Sequence, residues 1–386
     1  MLKKDITFVY NGGAAEKVAY EPIMEEAAKR GYRVTLTDDK FARCEIGFYS
    51  QHVNHPQYSK FSVIMLHDII QQYSNWPDIW FREPWHKYDI GILPSDQWVA
   101  NWEQCSQFYY ARPRVGMYKI GWPKADVIVK LQANTYRDVF YEKHGLDVTK
   151  KTILYAPAWE NDRKQDDFVQ AMLKLDVNIL IKQADWNVKL YPHIVQNIEE
   201  MEALHKGMER VTILPRKTNI FEAIAVSDIL VSEESSTMCE AAMMGIPAVS
   251  VSDWLIPDVT PSRFPKCNYD FVTMTKKAEL TTCVQRMIDN YDEVHAQTIE
   301  FSKKNFGNIG KTAEMIMDIV DDCVNGLPVR HECVLPKKKQ SVPLIKEIKR
   351  RLYAIRVEIS NNYAVRNPVM KAIWAMLRKV KRVISH

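Results

Sequence analysis

Short apolar runs alternate with segments of helical spacing along most of this chain, and this alternation constrains the fold more than any other feature. In the first half the apolar runs are ITFVY, RVTLT, EIGFY, SVIML, DIGIL and VGMYKIG, each bounded by polar or turn-forming residues. A helical segment follows the first run and ends at Gly31. Strands that alternate with helices form a parallel sheet with helices on both faces. We therefore predict a doubly wound α/β domain over residues 1–148.

A second series of the same kind begins near residue 149. Its apolar runs are TILYAP, NILIKQ, VTILP, DILVS and AVSVS, and its helical stretches include Asp166–Lys174, Met238–Met244 and Lys311–Asn325. A length of 386 residues suits two domains. Neither first strand is followed by Gly-x-Gly-x-x-Gly, which argues against a dinucleotide-dependent redox enzyme. We predict a second Rossmann-like domain over residues 149–325 and a ligand cleft between the two domains.

The overall composition is that of a folded protein, with 46% hydrophobic and 26% charged residues. No run reaches the roughly 18 apolar residues that a spanning helix requires, and the N-terminus lacks the pattern of a signal peptide. The seven cysteines are scattered, with no pair at metal-ligand spacing. We therefore expect reduced thiols and a cytoplasmic location.

Basic residues are concentrated at the C-terminal end. Residues 337–386 contain fourteen Lys and Arg against Glu347 and Glu358, a net charge of +12, whereas the whole chain carries +4. A proline-containing linker over 326–343 precedes this tail, and residues 344–386 place apolar side chains on one helical face and Lys or Arg on the other. Such basic amphipathic helices are typical of attachment to an anionic membrane surface. Nucleic acid and a partner helix are the alternatives, and nucleic acid is disfavoured because its binding does not require a continuous apolar stripe.

A polar turn between two buried strands is the segment most informative about chemistry. The strand DILVS is followed by Ser235-Ser236 and by a helical stretch that Gly245 ends before Pro247. Hydroxyl and free N–H groups at a helix start suit a diphosphate, and Glu240, one turn later, is placed to accept hydrogen bonds from a ribose or another diol. The alternative interpretation is that Ser235 merely caps the helix and that Glu240 is a solvated helical residue.

Three motifs resemble the CDP-glycerol glycerophosphotransferase family of teichoic-acid enzymes. Besides the Ser-Ser turn, Ile153–Trp159 (ILYAPAW) is similar to the family's YAPTW strand and turn. Residues Gly121–Asp126 (GWPKAD) are similar to its Gly-x-Pro-(Arg/Lys)-x-Asp element. The similarity covers residues 1–325, and the motifs occur in the family's order.

This resemblance implies a GT-B fold, in which two Rossmann-like domains face a cleft. It also implies a CDP-alcohol donor and a polyprenyl-linked acceptor, with Lys182 neutralising charge on the leaving nucleotide. The donor-binding residues predicted in this way are Gly12, Gly13, Trp159, Lys182, Ser235, Ser236 and Glu240.

The sequence departs from the family pattern at positions around these motifs. Glu160 stands where the family has a basic residue after YAPTW. The family's Lys-x-His-Pro element reads Lys-Gln-Ala-Asp at 182–185, which keeps the lysine and loses the histidine. Glu233 and Glu234 replace the Asp and Tyr that precede Ser-Ser. The identity of the transferred group therefore stays open.

The N-terminal half supplies a candidate base. His67 follows the apolar run that starts at Val63, and doubly wound sheets bind ligands at the carboxyl ends of their strands. The position resembles the family's Trp-His-Gly, which implies that His67 takes the proton of the acceptor hydroxyl, with Asp68 in place of the glycine to orient it. The pair Gly12-Gly13 permits close approach of a ligand to the backbone, although a tight turn explains it equally well.

Aromatic residues are dense between positions 71 and 110, which contain five tryptophans. We expect them to divide between core packing and a groove for a lipid-linked or saccharide acceptor. His52 and His55 have no third ligand nearby, so we predict no metal site and assign both to the surface or to the acceptor groove. No cofactor is expected.

Together these features predict a transferase that moves glycerol phosphate, or a related alditol phosphate, from a CDP-activated donor to a lipid-linked cell-surface polymer. The protein would be peripheral on the inner face of the cell membrane, and its oligomeric state stays open. The alternatives are a glycosyltransferase with an NDP-sugar donor, a UDP-sugar 2-epimerase-like isomerase and a non-catalytic scaffold. An isomerase would need neither a lipid acceptor nor a membrane helix.

Overall fold

The chain divides into two compact units. The first unit comprises residues 1–67, 71–121 and 313–386, and the second unit comprises residues 68–70 and 122–312. The computed structural model describes residues 2–10, 14–50, 54–66, 69, 80, 84–131, 135–233, 235–256 and 272–336 and, in the tail, residues 344–345, 348–349, 351–353, 355–356 and 369.

Six parallel strands form the sheet of the first unit, in the order β2-β1-β3-β4-β5-β6. These strands are β1 (Asp5–Val9), β2 (Arg33–Thr37), β3 (Cys44–Tyr49), β4 (Ser59–Ile64), β5 (Ile90–Leu93) and β6 (Gly116–Lys119). The α-helices described in this unit are α1 (Ala14–Lys29), α2 (Asp96–Ser106) and α11 (Thr312–Val324). Each apolar run predicted for the first half of the sequence falls on one of these strands.

The core of the first unit forms where α1 and α11 pack on the sheet. Ile6 and Phe8 of β1 lie in one buried cluster with Ile23 of α1 and with Ile316 and Ile319 of α11. The sequence grouped α11 with the second domain because it follows the second series of strands. Its apolar face instead completes the core of the first sheet.

Aromatic side chains of the first unit mostly fill a second core cluster. The tryptophans and tyrosines buried there include Trp80, Trp85, Trp98, Trp102, Tyr88 and Tyr110. These residues pack the core and do not line an exposed groove. His55 is also buried and stacks on Phe41, with ring centroids 4.3 Å apart, so it is not a surface residue.

The second unit has a parallel six-stranded sheet of its own, in the order β12-β11-β10-β7-β8-β9. Its strands are β7 (Thr152–Tyr155), β8 (Asn178–Ile181), β9 (Val211–Ile213), β10 (Ile229–Ser232), β11 (Ala248–Val251) and β12 (Val272–Thr275). The helices described in this unit are α3 (Ile128–Leu131), α4 (Thr135–His144), α5 (Lys164–Met172), α6 (Pro192–His205), α7 (Ile220–Ala225), α8 (Thr237–Met243), α9 (Leu280–Asp289) and α10 (Tyr291–Asn305).

Both faces of the second sheet are covered. Leu154 of β7 belongs to one buried cluster, whereas its neighbours Ile153 and Tyr155 belong to another. A strand that buries successive side chains on opposite faces reads as a continuous apolar run. This accounts for the clear signal of β7, β8 and β10 in the sequence.

The two parallel sheets confirm the predicted α/β, doubly wound fold class. The division between the units follows Gly121, whereas the sequence placed it after residue 148. The reason is packing, because Trp122, Ile128 and Phe140 share a buried cluster with Phe221 of the second unit.

The tail was predicted to be helical. Its described residues 344–345, 348–349, 351–353 and 355–356 are helical, and Leu344 and Ile345 are 71% and 70% exposed. None of the helices in the described part of the chain combines the length and the apolar content needed to cross a membrane.

Candidate functional site

The residues predicted to bind a donor in the second half lie at the carboxyl edge of the second sheet. Trp159 follows β7, Lys182 comes directly after β8, and Ser235 follows β10. These three strands are neighbours, in the order β10-β7-β8, and run parallel. Since the carboxyl ends of parallel strands meet at one edge, the fold brings these segments together, at the edge where such sheets bind ligands.

Direct hydrogen bonds tie these segments to each other. The backbone N–H of Lys182 donates to the carbonyl of Tyr155 at 2.9 Å. The hydroxyl of Thr237 donates to the carbonyl of Ala156 at 3.1 Å. The loops after β7, β8 and β10 therefore form one connected surface.

The Ser235-Ser236 turn opens α8. The buried Ser235 hydroxyl accepts a hydrogen bond from the Thr237 backbone N–H at 3.2 Å, and its oxygen lies 2.9 Å from the Thr237 hydroxyl oxygen. Ser236 occupies the N-cap position with helical backbone angles, and its side chain makes no capping hydrogen bond. The Ser235 hydroxyl thus stabilises the turn, while that of Ser236 takes no part in capping.

Glu240 is buried in α8 and forms an ion pair with Lys124, with Nζ and Oε1 2.5 Å apart. The interpretation of Glu240 as a solvated helical residue is therefore wrong. Lys124 belongs to the GWPKAD motif, but its pairing with Glu240 could not be predicted, because 116 residues separate the two partners. A basic residue inside a recognised motif was the one signal that pointed to it.

Lys182 is a largely buried cation at the same edge. Its Nζ donates to the carbonyl of Arg216 at 2.9 Å. Burial, and then the positive charge of Lys124, lower the pKa of Lys182 to about 8. The charge of Glu240 acts on Lys182 in the opposite direction. Lys124, Lys182 and Glu240 therefore form one electrostatic group, which we call the lysine–glutamate cluster.

A buried polar network lies next to the turn that carries Trp159. Glu160 accepts hydrogen bonds from Tyr155 and from the Gln183 side chain, both at 2.8 Å. Gln183 also donates to the Gln165 side chain at 2.8 Å. Burial raises the pKa of Glu160 to about 7. Glu160, a departure from the family pattern, therefore contacts Gln183, the residue that follows Lys182.

A second buried carboxylate fixes the same turn from the other side. Glu233 accepts a hydrogen bond from the backbone N–H of Trp159 at 2.9 Å, and Lys164 lies 3.7 Å from it. Lys164 also donates to the carbonyl of Trp159 at 3.0 Å. Burial raises the pKa of Glu233, and the Lys164 charge opposes that shift. The backbone of Trp159 is thereby held at both its N–H and its carbonyl.

The Trp159 side chain belongs to an aromatic group. Its ring lies edge-to-face with the rings of Trp186 and Tyr191, at centroid distances of 5.3 Å and 6.1 Å. Within the described part of the chain, the indole N–H groups of Trp159 and Trp186 find no hydrogen-bond acceptor. The sequence assigned a donor-binding role to Trp159 alone and gave no indication of its aromatic neighbours.

Several predicted site residues lie outside the described residues. These are the candidate base His67, its neighbour Asp68 and the glycine pair Gly12 and Gly13. In the described ranges, no group of three His, Cys, Asp or Glu side chains is placed to hold a metal ion.

A sequence profile of the CDP-glycerol:poly(glycerophosphate) glycerophosphotransferase family matches residues 73–254, which include the lysine–glutamate cluster and the Ser-Ser turn. The match covers 182 of the 386 residues, slightly less than half of the chain. The resemblance predicted from the three motifs is thus confirmed.

One protein similar to this chain is the teichoic acid poly(glycerol phosphate) polymerase of Staphylococcus epidermidis. It is 28% identical over 152 residues, which cover 37% of this chain and 20% of the relative. The match therefore spans only about a fifth of that polymerase.

Two solved structures share the fold of this chain. The wall teichoic acid polymerase TagF matches with a TM-score of 0.57 at 16% identity, over 84% of this chain and 90% of that one. A UDP-N-acetylglucosamine 2-epimerase described as putative, from Listeria monocytogenes, matches with a TM-score of 0.60 at 12% identity, over 87% and 100% of the two chains. At these identities the two likenesses establish a GT-B-type fold and nothing further.

Proposed function

We propose that this chain transfers glycerol phosphate, or a related alditol phosphate, from a CDP-activated donor to a lipid-linked cell-surface polymer. The observation that carries the proposal is the lysine–glutamate cluster at the same sheet edge as Ser235, inside the segment that matches the family. Because Lys124 is paired with Glu240, the charge of Lys182 is the one that suits an anionic ligand such as a diphosphate. The name of the Staphylococcus epidermidis relative supports glycerol phosphate as the transferred group.

The proposed reaction is a displacement at phosphorus. A hydroxyl oxygen of the acceptor attacks the phosphorus that carries glycerol, a new P–O bond forms, and the bond from that phosphorus to the bridging oxygen breaks. CMP leaves with the bridging oxygen, and the hydroxyl proton passes to His67. Lys182 stabilises the negative charge that develops on CMP.

Donor identity is tested with a panel of nucleotides. CDP-glycerol, CDP-ribitol, a UDP-sugar, CMP and UDP are each added to the purified protein in a thermal-shift assay. A ligand at 100 times its dissociation constant stabilises the folded state by about 2.7 kcal/mol. We expect shifts with CDP-alcohols and CMP, and a shift with UDP-sugars alone would support a glycosyltransferase or an epimerase instead.

Turnover is tested with a lipid-linked glycerol phosphate primer. We expect CMP release that depends on the primer, together with a primer product heavier by one or more glycerol phosphate groups. Lys182→Met should abolish both the CMP release and the heavier product, whereas Lys206→Met, at an exposed position of the same unit, should abolish neither. Donor binding without any product would indicate a scaffold rather than a transferase.

We also propose that the basic tail holds the protein on an anionic membrane surface at the inner face of the cell membrane. The net charge of the tail and the exposed Leu344 and Ile345 support this. The full chain should pellet with vesicles that contain anionic lipid and not with neutral vesicles. A chain that lacks residues 337–386 should remain in the supernatant with both, and undiminished pelleting would refute the assignment.

A further inference from the structure

Lys124 and Glu240 form a buried ion pair within the second unit. Their side chains are 12% and 3% exposed, and Nζ lies 2.5 Å from Oε1. Removing two charges from water is costly, and good geometry offsets the cost only in part. A pair of this kind therefore points to a function that stability alone does not explain.

Lys124 is held firmly in place. It lies in the 3₁₀ helix Pro123–Val127, where Asp126 accepts hydrogen bonds from the backbone N–H groups of Gly310 at 2.8 Å and Thr312 at 3.2 Å. The Lys124 ammonium also lies over the ring of Trp122, 5.0 Å from its centroid. A fixed ammonium imposes its position on the carboxylate it binds.

The geometry leaves one oxygen of Glu240 available. Oε1 accepts from Lys124, and among the described residues no donor contacts Oε2. The charges of Lys124 and Glu240 both act on the buried Lys182, so the three groups lie close together. A carboxylate with one free oxygen is a strong acceptor for hydroxyl donors.

We propose that Lys124 is a positioning residue that orients Glu240, so that its free oxygen accepts a hydrogen bond from the ribose hydroxyls of the nucleotide. This inference rests on the proposed function only in so far as the site binds a nucleotide. It assigns to Lys124 the discrimination between ribose and deoxyribose. A site that accepts a hydrogen bond from a ligand hydroxyl rejects an analogue without that hydroxyl, because the buried acceptor of the protein is then left unpaired.

Titration calorimetry with CMP and 2′-deoxy-CMP tests the inference. The wild-type protein should bind CMP at least about tenfold more tightly than the deoxy analogue. Lys124→Met keeps the apolar stem and removes the charge, so it should weaken CMP binding and reduce the preference to less than about threefold, with deoxy-CMP binding little changed. Lys124→Arg should retain the preference, because a guanidinium also donates to Glu240.

Two further variants complete the experiment. The double variant K124M/E240Q removes both charges together and so leaves no unpaired buried ion, and it should bind the two nucleotides equally. Lys206→Met, an exposed lysine of the same unit, is the control and should keep the wild-type preference.

The outcomes separate this inference from the proposed function. Equal binding of CMP and deoxy-CMP by the wild-type protein would overturn the role of Glu240 and Lys124 while leaving the proposed function standing. Equal losses of affinity for both nucleotides in Lys124→Met would show a merely structural pair and would also overturn the inference. Failure of the wild-type protein to bind any cytidine nucleotide would contradict the proposed function itself.

Discussion

Tyr155 donates a hydrogen bond to Glu160 across 2.8 Å, and both side chains are buried in the second unit. The same carboxylate accepts hydrogen bonds from the Gln183 side chain at 2.8 Å and from the backbone N–H of Gln165 at 3.3 Å. Burial outweighs these donors and raises the pKa of Glu160 to about 7. Glu160 therefore acquires its charge close to neutral pH, next to Trp159 in the turn after β7.

We predict that the carboxyl group of Glu160 makes the folded state less stable as the pH rises from about 4.5 to about 7. Over that window the folded chain retains a proton that the unfolded chain has released, so the free energy of unfolding falls by about 3 kcal/mol. Glu160→Gln has no proton to lose and should remove this component. Urea unfolding of both proteins across the window measures it, and identical pH profiles would contradict the prediction.

Lys182 gives a pH dependence to donor binding. With its pKa near 8, the ammonium is about nine-tenths protonated at pH 7 and about one-tenth at pH 9. Because a bound diphosphate stabilises the charged form, we expect the affinity for CDP-glycerol to fall as the pH rises above about 8.

Lys182→Arg is the matched variant for this prediction, because a guanidinium stays charged throughout the range. It should bind CDP-glycerol with an affinity that does not change up to about pH 10. Calorimetric titrations at several pH values measure both proteins. A wild-type affinity that is constant across the range would exclude Lys182 from contact with the phosphates.

The sequence predicted the sheets because their strands are buried on both faces, as the continuous apolar runs of β7, β8 and β10 show. It missed β12, whose residues Thr273 and Met274 are exposed, so that no apolar run marks the strand. It misassigned α11 because an apolar helical face does not reveal which of two sheets it covers.

Some features of the candidate site could likewise be predicted from the sequence, and others could not. The positions of Lys182 and Ser235 at the sheet edge were predictable because each follows a buried strand, and the edge of a parallel sheet is fixed by topology. The partnership of Lys124 with Glu240 was not, because buried charges are recognised only when both partners are known and 116 residues separate these two. Glu160 was seen only as a departure from the family pattern, since its hydrogen-bond donors come from three separate segments.

Arg30 should be a principal stabiliser of the first unit. It donates to Asp318 at 2.8 Å and to Asp321 at 2.9 Å, which joins the end of α1 to α11. Arg30→Ala removes one partner from each of these partly buried carboxylates, and we expect a loss of about 2 kcal/mol. Arg33→Ala is the control, because Arg33 is 79% exposed and its pairing with Asp5 should contribute nothing measurable. Urea unfolding compares the two, and equal effects would argue against the prediction.

Gly245 ends α8 and so controls the helix that carries Glu240. Its φ is +75°, its N–H donates to Ala242, and the next N–H, of Ile246, donates to Ala241 at 2.9 Å, a Schellman arrangement that favours glycine. A Cβ at this position would lie 2.7 Å from Cγ1 of Ile299. Gly245→Ala should therefore cost about 2 kcal/mol, from both backbone strain and crowding.

Gly207→Ala separates these two contributions. Gly207 has a φ of +76°, and a Cβ there would meet no atom within 4 Å, so the substitution introduces strain without crowding. It should cost about 1 kcal/mol and leave nucleotide binding unchanged. Gly245→Ala should cost more and should also weaken CMP binding, because it displaces α8. Equal stabilities of the two variants would show that the Ile299 side chain moves away from the new Cβ at no cost in free energy.

His67 is the residue on which the chemical step is proposed to depend. Its replacement by Ala should reduce turnover by about 10²–10⁴ while leaving CDP-glycerol affinity intact, because a general base acts on the acceptor proton and not on the donor. In the wild-type protein kcat should rise with pH as the imidazole loses its proton and becomes able to act as a base. That dependence should disappear in His67→Ala. Steady-state rates with a saturating primer measure it, and a variant that retains the same pH dependence at full rate would remove His67 from the mechanism.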